Sequence, residues 1–357
     1  DDYGNTVIDG EGSTAQITAS VDHDSLVGTT SIHAVAGVAT FSNLGIAGKI
    51  GQHTITFAIA SPTLDSVSQN INLSYGTAAA LAITTQPGGG NHTADVLATQ
   101  PVVHVVDAYG NTVANSVATV TASLVGDTTS ATLTGTTKAS VAGVATFTAL
   151  NLLGTPSTNY TFKFTSGSLT AATATALQVN PALASNFTFA RQPVGGNATH
   201  TALTVQPALQ IRDRFGNIVT TDSSSVLTAH ITGAGGALEG TATATASSGI
   251  VSFSGLTVAG TPGVDYTLTF TGKIDGTDIT SDASSKFRVI HGPAHHLDIT
   301  VAAAGAKAGL AFTTQPSVTI RDADGFAVIS GPNSTSVVTA TVSQGGVVVG
   351  AATATAV

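Results

Sequence analysis

The chain is 357 residues long, with 9% charged residues, a net charge of −9 and no Cys, Met or Trp. The lack of Cys excludes a disulfide framework and any thiolate metal site, and 11 Lys and Arg against 20 acids exclude the basic face that nucleic acid requires. The richest apolar stretch, VAAAGAKAGLAF at 301–312, is interrupted by Lys307 and falls short of the ~20 residues of a membrane-spanning helix. The chain opens at Asp1 rather than on an initiator Met, so a mature or cut segment is expected.

Taken in chain order, the sequence repeats itself. DDYGN at 1–5 returns as DAYGN at 107–111, as DRFGN at 213–217 and, weakly, as DADGF at 322–326, in steps of 106, 106 and 109 residues. GVATF begins at Gly37 and Gly143 and GIVSF at Gly249, again 106 apart. A Gln–Pro pair stands at 100–101, 206–207 and 315–316. A period of this length exceeds a solenoid unit and matches one autonomous domain.

Within the second repeat, seven runs read as strands: LAITT (81–85), PVVHVVD (101–107), VATVTASLV (117–125), ATLTG (131–135), GVATFTAL (143–150), YTFKFTS (160–166) and TATALQV (173–179). They are rich in Val and Thr, alternate with period two, and are separated by Gly, Pro, Asn and Ser. The expected fold is all-β: tandem immunoglobulin-like β-sandwiches of about 106 residues, arranged as a row of modules. Register agrees between repeats. Val103 and Val105 align with Leu209 and Ile211 and with Val318 and Ile320 as inward positions, leaving His104 outward. Ile17, Ala19 and Val21 align with Val120, Ala122 and Leu124, with Leu227, Ala229 and Ile231, and with Val338, Ala340 and Val342. Tyr160, Phe162 and Phe164 align with Tyr266, Leu268 and Phe270; the opening Tyr resembles the tyrosine corner of such sandwiches, and His53 stands in its place in the first repeat.

VVDAYGNTVANS, TLTG, VAGVATFTAL and YTFKF, in that order, resemble the bacterial Ig-like domains of the invasin and intimin type. TTQPGGG at 84–90 and RQPVGG at 191–196 are similar to repeats of very large bacterial surface proteins. The resemblance covers the whole chain and implies an extracellular, cell-surface setting, a stalk or spacer role, and in some members calcium binding. Short linkers at 74–79, 180–185 and 291–296 divide the chain into a partial domain at 1–76, whole domains at 77–181 and 182–293, and a partial domain at 294–357. A window on a longer repetitive chain is expected. The expected function is a structural segment of a filament, sheath or stalk, the alternative being an adhesin repeat that binds host protein or carbohydrate. Low charge with positive mean hydropathy suits packing against sister copies.

The repeated pentapeptide has two readings. Asp107, Asn111 and a linker acid could hold calcium; or Asp accepts backbone N–H groups, Gly110 takes a positive φ, and the aromatic packs on the sandwich end. One Asp and one Asn cannot supply the about six or more oxygens that calcium takes, which favours the turn. The fourth copy is the most calcium-like, with Asp322 and Asp324 as candidate ligands and no other cofactor expected. His291, His295 and His296 cluster in one linker, where a solvated linker is preferred to a metal site. GxSxG, HExxH and phosphate-binding loops are absent, and no enzyme is expected. Sequons at Asn72, Asn91, Asn159, Asn186, Asn197 and Asn333 leave glycan attachment open. Lys163, the one Lys suited to an isopeptide crosslink, alternates away from Phe162 and Phe164.

Overall fold

Side chains branched at Cβ favour extended backbone, and this chain uses Val, Ile and Thr for strands throughout. The computed structural model describes every residue except 90–91, 127–130, 275 and 344. Among the described residues there is no α-helix, only two 3₁₀ turns at Glu11–Thr14 and Pro332–Thr335. The chain divides into two compact units, Asp1–Asn180 and Pro181–Val357. The architecture is that of tandem immunoglobulin-like β-sandwiches.

In the first unit, Ser31–His33, Gln16–Val21, Gly51–Ile59 and Val67–Leu73 form a four-stranded antiparallel sheet in that order. The sandwich that follows has one sheet of Thr137–Ala139, Thr119–Leu124, Phe162–Thr165 and Ala172–Thr173. It faces a second sheet of Val144–Thr146, Val102–Val106 and Ala80–Thr85. The core lies between them: Val103 and Val105 from one sheet meet Val120, Ala122, Phe162 and Phe164 from the other, with the rings of Phe147 and Phe164 at 5.6 Å. Thr137–Ala139 and Asn151–Leu153 are strands beyond the seven expected, each too short to show alternation. Conversely, the run expected at 173–179 pairs as a strand only at Ala172–Thr173. Thr175 N–H turns to Gln86 Oε1 instead of a ladder partner, while Leu177 rejoins by a bridge to Tyr160.

In the second unit, seven strands run Ala184–Arg191, Ala208–Asp213, Ile250–Ser252, Thr243–Ser247, Val226–Thr232, Thr267–Ile274, Thr277–Thr280. Leu209, Ile211, Leu227, Leu268 and Phe270 are fully buried, as the alternation requires. Tyr160 and Tyr266 form the expected corner: each hydroxyl accepts an N–H five residues upstream, from Thr155 (2.7 Å) and Thr261 (2.8 Å). The inward assignment fails at 338–342. Val337–Thr339 pairs with Thr353–Thr355, Val338 is only half-buried, and Ala340 and Val342 are exposed.

Two of the sequence landmarks have a packing cause. Gly143 follows Ala142 in a hairpin turn in which both residues have positive φ, +75° and +50°. A Cβ on Gly143 would lie 2.4 Å from the Val113 carbonyl oxygen, and Gly37 and Gly249 meet Val7 and Val219 the same way. The Gln of the Gln–Pro pair is a staple. Gln100 Nε2 donates to Leu97 and Leu150 carbonyls while its Oε1 accepts Leu150 N–H; Gln206 repeats this with Leu203 and Leu256.

Candidate functional site: the repeated aspartate turn

The strand Val102–Val106 delivers Asp107 to the end of the sandwich, and Asp107 N–H closes a turn on the Asn111 carbonyl at 2.9 Å. Gly110 takes φ +76°, which residues with a Cβ rarely adopt. Asp107 Oδ1 accepts the N–H groups of Tyr109 and Asn111, both at 2.9 Å. Its Oδ2 accepts Asn111 Nδ2 at 3.0 Å and, from outside the turn, Gly76 N–H at 2.8 Å.

The same device recurs. Asp213 accepts Phe215 N–H, Asn217 N–H, Asn217 Nδ2 and the N–H of Ala182 at 2.9 Å. Asp322 accepts Asp324 N–H, Phe326 N–H and the N–H of Gly292 at 2.8 Å. Asp1 binds Tyr3 and Asn5 in the same pattern. The external donors lie 31, 31 and 30 residues ahead of their aspartates. Asp107, Asp213 and Asp322 thus each hold the turn's N–H groups with Oδ1 and take a linker N–H on Oδ2.

Asp107, Asp213 and Asp322 are all buried, and a buried charge is tolerated only when it is hydrogen-bonded. Burial by itself would raise the Asp107 pKa. Donation from Gly76, from the Asn111 side chain and from the N–H groups of Asn111 and Tyr109 outweighs it and brings the value down to about 2. Asp213 is lowered by the same balance, burial raising it and the Asn217, Ala182 and Phe215 donors prevailing.

Asn111 extends the device. Its Nδ2 also donates to the Gly48 carbonyl at 2.9 Å, its Oδ1 accepts Ile50 N–H at 3.0 Å, and Lys49 Nζ reaches the Tyr109 carbonyl at 2.6 Å. The loop at 48–50 of the first repeat is thereby fastened to the turn of the second. In the fourth copy Phe326 replaces the amide. There His291, buried in its linker, accepts Ser330 N–H on Nε2 at 3.0 Å, and its Nδ1 lies 3.0 Å from the Gly292 carbonyl oxygen. His295 and His296 are exposed.

The pentapeptide aromatics do not pack as expected. Tyr3, Tyr109 and Phe215 are exposed, and the Arg214 guanidinium lies 4.7 Å from the Phe215 ring. Asp322 and Asp324 occupy one turn but face differently. Asp322 is spent on three backbone donors, while the exposed Asp324 has Oδ1 3.6 Å from His200 Nε2, whose Nδ1 meets Glu239 at 3.0 Å. Among the described residues, neither belongs to the one group of three His or acidic side chains whose ligand atoms converge. Lys163 is exposed, as its alternation requires. Asn72, Asn159, Asn186, Asn197 and Asn333 are exposed, and Asn91 lies outside the described residues. The residues that sequence reasoning missed are the linker donors Gly76, Ala182 and Gly292 and the fastened loop 48–50. The constant separation of 30–31 residues was the available signal.

No protein-family model and no curated protein matches this chain. Among solved structures, it is similar to protocadherin gammaB7 EC3-6 in a cis-dimer structure, at 14% identity and a TM-score of 0.41, covering 96% of this chain and 85% of that one. It is also similar to the Parabacteroides merdae beta-glucuronidase, at 13% identity and TM-score 0.23, covering 46% of this chain. A chimeric titin Z1Z2 matches at 12% identity and TM-score 0.20, covering 61% of this chain and 99% of that one. The chain spans only 21% of the glucuronidase's length. At these TM-scores the likenesses say nothing of activity or partner. Among the described residues no helix is long and apolar enough to cross a membrane.

Proposed function

We propose that this chain is a structural repeat segment of a long extracellular bacterial surface protein, built from the modules 1–76, 77–181, 182–293 and 294–357, and that it forms the body of a filament, sheath or stalk. The observation that carries this reading is the buried aspartate that accepts an N–H from its linker at Gly76, Ala182 and Gly292. At Gly76 and Gly292, inside the two compact units, a linker whose backbone is bonded to the module that follows bends less than a free one, and such stiffness is what a structural array needs. Exposed Val35, Val117 and Val141 on a weakly charged surface supply apolar area for packing against sister copies. Electron microscopy of the purified parent protein tests the reading. Regular helical order supports a filament or sheath, and beaded single rods support a stalk of the adhesin kind. Compact particles without any elongated form would remove it.

Calcium would bind at Asp322 and Asp324 through Asp324, whose carboxylate is exposed. A rise in the unfolding midpoint on adding millimolar calcium, abolished in Asp324→Asn, supports it; an unchanged midpoint removes it.

A further inference from the structure

His53 stands where Tyr160 and Tyr266 stand in the next two repeats. The strand pairing confirms the equivalence, since Val21 opposes Ile55 as Leu124 opposes Phe162 and Ile231 opposes Leu268. Like the tyrosine hydroxyls, His53 reaches back to the preceding loop: its Nε2 lies 2.8 Å from the Lys49 carbonyl oxygen. A carbonyl can only accept, so Nε2 carries the proton, and in the neutral ring Nδ1 presents a lone pair. That Nδ1 is buried, in a side chain 1% exposed, and has no hydrogen-bond partner. A buried polar atom left without a partner is costly and calls for an explanation.

Asp22 and His23 leave the end of the strand Gln16–Val21 beside it, placed by Asp22 N–H on the Thr54 carbonyl. Asp22 Oδ1 is 4.0 Å from His53 Nδ1 and 3.0 Å from His23 Nδ1, and the two imidazole rings are 4.3 Å apart. One ligand atom from each of the three residues lies within 4.8 Å of the others. We propose that His53 Nδ1, His23 and Asp22 bind a divalent transition-metal ion of zinc type. Tetrahedral ligands at about 2.1 Å from zinc stand about 3.4 Å from one another, so a small closing motion suffices. The two exposed members, Asp22 and His23, make it, with Asp22 Oδ1, which accepts the His23 N–H at 2.9 Å, turning toward the buried His53. The Lys49 carbonyl on the far ring nitrogen is the partner that metal-bound imidazoles ordinarily have, and Asp24 Oδ2 lies 3.7 Å from the same nitrogen. Two imidazoles select a borderline metal over calcium, which prefers oxygen. Three protein ligands leave a fourth position for water or for a side chain from another molecule. The site belongs to the first repeat alone: Val125 and Gly126, then Thr232 and Gly233, occupy the places of Asp22 and His23 in the next two.

The test is titration of the full chain with cobalt(II) alone, followed by its visible absorption and competed with zinc(II). One equivalent should saturate, with the intense spectrum of a four-coordinate site. His23→Ala and Asp22→Asn, both at exposed positions, should each weaken binding by at least about tenfold. His53→Tyr installs the residue found at 160 and 266, keeps the corner bond, and should abolish binding without unfolding the chain. His295→Ala with His296→Ala should leave it unchanged. The proposal is overturned if wild type binds no tighter than His23→Ala or His53→Tyr, or if the linker double variant is the one that loses the metal.

Discussion

The two junctions that fall inside the compact units solve one problem with different side chains. At Gly76–Asp107 the carboxylate holds the linker, and Asn111 carries the connection onward to the Gly48 carbonyl and Ile50 N–H of the preceding repeat. At Gly292–Asp322 the carboxylate bond survives at the same 2.8 Å, but Phe326 cannot make the amide's bonds. There His291 takes Ser330, and an exposed His200–Asp324 pair at 3.6 Å spans to the preceding repeat. The aspartate is therefore the invariant part of the device and the amide the variable part. A buried amide making two bonds across the junction is replaced by an exposed contact between His200 and Asp324, which contributes little in water.

The largest difference should come from the aspartates themselves. Asp107→Ala leaves four donors without their acceptor, two of them on the fully fastened Asn111, and is expected to cost about 3 kcal/mol of the first unit's stability in chemical denaturation. Asp322→Ala strands three donors and should cost the second unit less, about 2 kcal/mol. Equal costs would break the comparison. Next, Asn111→Phe copies the fourth turn into the second. It removes the bonds to Gly48 and Ile50 and should cost about 1–2 kcal/mol, with looser coupling of the first two repeats seen in NMR relaxation.

Acid should separate the units more gently. Asp107 has a folded pKa of about 2, below its unfolded value, so its contribution is fully present above about pH 4 and is lost as pH falls toward 2. Asp213, also lowered, adds a loss of the same sign in the second unit. The unfolding midpoint of the first unit should fall between pH 4 and 2, that of the second should fall as pH drops below about 4, and Asp107→Asn should flatten the fall in the first unit only. The smallest effect belongs to Asp324→Asn, which removes an exposed pair and should change stability by less than about 1 kcal/mol at neutral pH.

Much of this was legible because the causes are local and repeated. A buried strand with apolar residues at alternate positions, a glycine forced by both φ and a carbonyl 2.4–2.6 Å from any Cβ, and a Gln that staples two loops each leave a residue at a fixed place in two or more of the repeats. What stayed hidden was carried by groups without sequence identity. The linker donors are backbone N–H groups, so Gly76, Ala182 and Gly292 share a position rather than a residue type. The strands Thr137–Ala139 and Asn151–Leu153 are too short to alternate. His53 read as an exception to the tyrosine rule, yet it keeps the tyrosine's bond to the preceding loop; only the pairing of Val21 with Ile55 brings Asp22 beside its second nitrogen.

The clamp itself is most directly tested by amide hydrogen exchange at Gly76, Ala182 and Gly292. These linker amides should be protected to the level of the neighbouring strand amides, and Asp107→Ala should release Gly76 alone to the rate of an open chain. Free exchange at all three in the wild type would contradict a linker held by the aspartate.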